Sequence, residues 1–81
     1  MYYIYLKNDY RHGIYRHSFI EILEWLYWNH IVDIDYTTLL DKDRLLNSVV
    51  VEANDEAQSI TEDVENYLRL NKQLEDIKNK Y

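Results

Sequence analysis

The chain has 81 residues, 47% of them hydrophobic and 15% aromatic, with a formal net charge of -6 and no cysteine. That length holds one domain around one small core, and the apolar content is too high for intrinsic disorder. The lack of cysteine excludes a disulfide framework and thiolate metal sites and suits a reducing compartment, and a single glycine excludes a glycine-rich phosphate loop.

At the start, Tyr2, Ile4 and Leu6 alternate with Tyr3, Tyr5 and Lys7, the two-residue period of a strand built from strand-favouring residues. Asn8, Asp9 and Gly13 bracket a turn, so Ile14 to His17 is expected to return as the second strand of a short hairpin. Ser18 and Glu21 have the spacing of a capping box and an apolar run follows, which predicts a helix over Phe19 to Ile31. Only Glu21, Glu24, Asn29 and His30 interrupt its apolar surface. The helix is therefore expected at the centre of the core and partly covered by a second subunit. Val32, Ile34 and Tyr36 then alternate with Asp33, Asp35 and Thr37, predicting a strand with one buried face and one carboxylate-bearing outer face.

Asp41-Lys42-Asp43 reads as a turn, and Leu45 to Glu52, centred on Val49-Val50-Val51, as a further strand closing a second hairpin. A short helix over Thr38 to Leu46 competes with this assignment, because Leu39, Leu40, Leu45 and Leu46 do not alternate. From Asp55 onward, Ala57, Ile60, Val64, Tyr67, Leu68, Leu74 and Ile77 share a broad helical face, with Lys78 and Lys80 in the last turn. Ile60, Val64, Tyr67, Asn71, Leu74, Lys78 and Tyr81 also follow a heptad with a polar seam residue. Packing on the domain's own sheet and pairing with another helix both explain them. The expected fold is α+β in a single domain, residues 1–81. A small antiparallel sheet, made of the N-terminal strand and hairpin plus a second hairpin, packs against an aromatic helix and a long C-terminal helix.

No catalytic constellation is expected. Ser18 stands beside His17 in sequence but has a cap to make, and Asp33 and Asp35 on an outer strand face have no burial to shift their pKa. His12 and His17 fall on opposite faces of a strand, and Leu45 stands where a calcium loop beginning at Asp41 and Asp43 needs an oxygen ligand. No metal and no cofactor are therefore expected. Tyr10-Arg11-His12 recurs as Tyr15-Arg16-His17, which reads either as an anion-clamping arm or as a solvated hairpin tip.

Charge is unevenly spread: residues 1–20 carry +2 and residues 21–76 carry -10. Between Arg44 and Arg69 there is no Lys or Arg, but Glu52, Asp55, Glu56, Glu62, Asp63 and Glu65 all fall there. A second base-poor run, Arg16 to Lys42, holds Glu21, Glu24, Asp33, Asp35 and Asp41. Such a field repels nucleic acid and anionic lipid and steers toward basic protein surfaces. The acids from both runs, doubled in a homodimer, approach the charge of a short duplex. The nine tyrosines exceed the needs of so small a core, and Tyr3, Tyr5, Trp25, Trp28 and Tyr36 are the candidate interface aromatics.

With its small size, tyrosine-rich start MYYIYLKNDY, acid runs and lack of cysteine, the chain resembles the small early proteins with which phages take over bacterial hosts. The resemblance is one of type across the whole chain. It implies a non-enzymatic inhibitor in the host bacterial cytoplasm that mimics DNA and occupies the nucleic-acid-binding surface of a basic host protein. An HU-like nucleoid protein, RNA polymerase, or a restriction or CRISPR nuclease is such a partner; direct nucleic-acid contact is not implied. Arg11 and Arg16 depart from a uniform mimic. The alternative is an adaptor or regulatory module that binds through its aromatic and C-terminal helices, its acids serving solubility alone. MYYIYLKND lacks a charged leader with a long apolar segment after it, and no apolar run approaches the ~20 residues of a membrane helix, so neither secretion nor spanning is expected.

Overall fold

A computed structural model describes residues 1–53, 56–58 and 60–80, the middle stretch as backbone alone. Its sheet is antiparallel, in the order β2-β1-β3-β4, formed by β1 (Tyr2–Leu6), β2 (Ile14–Arg16), β3 (Val49–Ala53) and β4 (Glu56–Gln58). The alternation in β1 sets its two faces. Ile4 lies opposite Ile14 and Val51 on the core side, whereas Tyr3 lies opposite Tyr15 and Glu52 on the other. Three helices complete the α+β fold: α1 (Phe19–Trp28), α2 (Lys42–Ser48) and α3 (Thr61–Lys80).

The capping box forms as its spacing predicts. Glu21 N–H donates to Ser18 Oγ, while Glu21 Oε2 accepts the N–H groups of Ser18 at 3.0 Å and His17 at 2.6 Å. The helix stops at Trp28, three residues before the expected end. His30 takes a left-handed conformation at φ 60°, its N–H donating to the Tyr27 carbonyl and that of Ile31 to the Leu26 carbonyl. This is a Schellman cap with histidine in the place usually held by glycine.

Residues 32–37 do not form the expected strand. Asp33 Oδ1 accepts the N–H groups of Thr37 and Thr38 at 2.8 and 2.7 Å, and Oδ2 accepts the Thr37 hydroxyl at 2.9 Å. A short acidic side chain that captures nearby backbone donors closes a loop instead of extending a ladder. Val32 is buried and bridges to Leu39, but Ile34, expected inside, is 66% exposed.

The turn expected at 41–43 is the start of α2, because Asp41 Oδ1 accepts the Arg44 N–H and caps the helix. The competing helix assignment came closer here, shifted toward the C-terminus. The β-branched run ends α2, and the strand begins at Val49 rather than Leu45. The second hairpin is β3 with β4; β4 lies where the sequence suggested the last helix, and α3 begins only at Thr61. A short segment gains more from backbone pairing along the free edge of β3 than from extending a helix.

The core gathers Ile4 and Val51 from the sheet, Ile22, Leu23 and Leu26 from α1, Leu45 from α2, and Val64 and Leu68 from α3, with Ile31, Val32 and Ile60. Arg44 ties α2 to the end of α1 by donating to the Asn29 carbonyl at 2.6 Å. Asn71 Nδ2 donates to the carbonyls of Asp35 and Tyr36, pinning the 33–38 loop on α3. The heptad's polar residue thus serves its own domain. Beyond it the last turns of α3 project, and the molecule is elongated, 46 by 23 by 19 Å.

Candidate functional site

Four tyrosines meet on the sheet face that points away from the core. Tyr3 and Tyr5 come from β1, Tyr15 from β2, and Tyr10 from the single 3-10 turn between these strands, Tyr10–His12. The Tyr3 ring lies 4.7 Å from that of Tyr15, 5.1 Å from Tyr10 and 5.6 Å from Tyr5, and Tyr5 meets Tyr10 edge-on at 4.9 Å. Tilted and edge-on contacts of this kind are favoured by the ring quadrupoles. The inner pair is fixed through its hydroxyls: Tyr3 donates to the Tyr10 carbonyl and Tyr5 to Glu52 Oε1 at 3.1 Å.

The outer pair faces solvent, Tyr10 at 57% exposure and Tyr15 at 64%. Loss of water under the neighbouring rings, with Tyr10 and Tyr15 close by, pushes the Tyr3 phenol above its ordinary value. Desolvation and donation to Glu52 do the same to Tyr5. Both therefore stay neutral donors at physiological pH. Around the rim, Lys7, Arg11 and His17 are exposed, His12 pairs with Asp9, and Arg16 donates to the Tyr15 carbonyl at 3.0 Å. The repeated tripeptide has a structural outcome, since its two tyrosines flank Gly13 and converge on Tyr3.

Of the ten acids singled out in the sequence, four have partners within the chain. Glu21 sits in the capping box, where the N–H groups of His17 and Ser18 hold its carboxyl below the usual range. Asp33 closes its loop, Glu52 accepts from Tyr5, and Glu65 pairs with Lys42 at 2.9 Å. Glu24, Asp35, Glu62 and Asp63 remain exposed on separate elements, the last two in the first turn of α3. Glu56 belongs to β4, and Asp55 lies outside the described residues.

Family models, curated proteins and solved structures give no match to this chain. Its own surface chemistry is what bears on function. Of the expected interface aromatics, Tyr3 and Tyr5 come together; Trp25 is half-buried against the core, Trp28 is 69% exposed on α1, and Tyr36 is half-buried in the 33–38 loop. Tyr10 and Tyr15 were missing from that set. The signal for them was the tripeptide repeat, whose five-residue offset across a hairpin turn brings both rings toward β1. Among the described residues no group of three or more potential metal ligands assembles, and no helix is long and apolar enough to cross a membrane.

Proposed function

We propose that this chain is a non-enzymatic protein-binding module that recognises its partner through the tyrosine-covered face of the sheet. The four-ring cluster carries the reading. Tyrosine offers a large amphipathic contact area with few rotatable bonds, which is why it dominates interface hot spots and engineered paratopes. The inner rings are already held by hydrogen bonds, so little further ordering opposes association. The basic rim of Lys7 and Arg11 suits a partner that is acidic around an apolar centre. Action by occupying a partner's working surface, in a bacterial cytoplasm, follows from the phage-protein resemblance.

Nucleic-acid mimicry is the second reading, supported by the exposed Glu24, Asp35, Glu62 and Asp63. It has less charge to work with, because four other acids are engaged within the fold. B-DNA presents a charge every ~1.7 Å along its axis. The two readings separate in capture from bacterial lysate by wild type, by Tyr10→Ser with Tyr15→Ser, and by Glu24→Gln with Asp35→Asn and Glu62→Gln. Recognition by the tyrosine face predicts that the bound proteins are lost only with the first variant and elute weakly with salt. Loss only with the second variant, and release by salt, supports mimicry instead.

A further inference from the structure

We infer that α3 carries a second recognition surface, one that pairs antiparallel with the same surface of another copy of this chain. Tyr67, Leu70, Leu74 and Ile77 recur at alternating three- and four-residue steps and so line one stripe of the helix. This stripe lies beside the core face of Val64 and Leu68 rather than on it. Leu70, Leu74 and Ile77 are 57%, 58% and 54% exposed, the last two on turns that project past the body. An unpacked helix of that length is marginal in water.

At its inner end the stripe opens into a mainly apolar hollow lined by Tyr2, Phe19, Asp63, Asn66, Tyr67 and Leu70. Hollow and stripe form one continuous surface, and its charge selects the occupant. Residues 66–81 carry +2, while residues 1–65 carry -8. Two copies in parallel would bring like ends together. Antiparallel, each basic tip lies on the acidic body of the other copy.

The stripe is also self-complementary. With the two-fold axis crossing the stripe midway between Leu70 and Leu74, Leu70 opposes Leu74 of the second copy, and Tyr67 opposes Ile77 of the second copy. That isoleucine reaches the hollow, and Lys80 of the second copy comes alongside Asp63. On the flank away from the 33–38 loop, Gln73 meets Gln73, so no like charges face each other there. One surface patch meeting itself across a two-fold is the commonest way for a soluble chain to oligomerise. The pairing uses a different surface from the tyrosine face and stands independently of it.

Sedimentation equilibrium from micromolar to millimolar concentration tests the inference. The expected result is a rise from the 10.0 kDa monomer toward twice that mass, abolished by Leu74→Glu with Ile77→Glu. Lys80→Glu should weaken dimerisation roughly tenfold, and adding Asp63→Lys to it should restore the affinity. A chain that stays monomeric throughout, or a dimer indifferent to the two glutamates, overturns the pairing. Failure of the charge exchange to restore affinity overturns the antiparallel register.

Discussion

The ring of Tyr3 lies so close over Gly13 that a β-carbon on Gly13 would stand 2.5 Å from Tyr3 Cζ. Gly13 has φ -66° and ψ 164°, an extended conformation open to any residue, so space rather than backbone strain requires glycine there. Gly13→Ala should therefore expel the Tyr3 ring from its place among Tyr5, Tyr10 and Tyr15 and break its hydrogen bond to the Tyr10 carbonyl. The expected outcome is a fall in Tm of about 5 °C, with the tyrosine aromatic signals of the cluster shifted in NMR spectra. In a Tyr3→Ser background the same substitution should cause little further loss, because the obstruction is gone.

Acid should destabilise the protein through Asp33 and Glu21. Burial pushes the Asp33 carboxyl up, but the Thr38 N–H, the Thr37 hydroxyl and the Thr37 N–H outweigh it and hold the group below its ordinary value. Glu21 is lowered chiefly by the His17 N–H. A carboxyl with a depressed folded pKa contributes stability that is complete above its unfolded pKa and is lost as pH falls through the folded one. Thermal melts should thus be flat in this respect above about pH 4.5 and fall below it. Asp33→Asn should lower stability at neutral pH by about 1–3 kcal/mol and flatten the acid limb. An acid limb unchanged in that variant would contradict the assignment.

His30 closes α1 in the left-handed conformation, exposed to solvent. A side chain there costs about 1 kcal/mol relative to glycine, which enters this region freely. His30→Gly should accordingly raise stability by about 1 kcal/mol, read as a higher midpoint in urea with an unchanged slope. His30→Val, whose branched side chain tolerates this backbone poorly, should move the midpoint the other way.

Local signals were legible in the sequence and long-range ones were not. The alternation at Tyr2–Leu6, the Ser18/Glu21 capping box and the basic last turn of α3 at Lys78 and Lys80 each involve residues a few positions apart, and each appears in the fold as read. Val32 to Thr37 alternates as a strand would, but the Asp33 carboxylate takes its donors from Thr37 and Thr38 and closes a loop instead. Asp41 is a related case, since the same residue type that favours turns also caps helices. The pairing of β1 with β3, reinforced by the hydrogen bond from Tyr5 to Glu52 across 47 residues of sequence, has no local signature. The acids form base-free runs along the chain, yet folding gave Glu21, Asp33, Glu52 and Glu65 separate partners. The tyrosine face emerged only when two strands and a 3-10 turn brought their rings together.

Chemical footprinting of tyrosines by mass spectrometry, free and in complex with a captured partner, tests the binding face most directly. Recognition through the sheet predicts that modification of Tyr10 and Tyr15 drops sharply in the complex, while carboxyl labelling of Glu24 and Glu62 is unchanged. Unaltered modification of Tyr10 and Tyr15, with protection of those carboxylates instead, would contradict it.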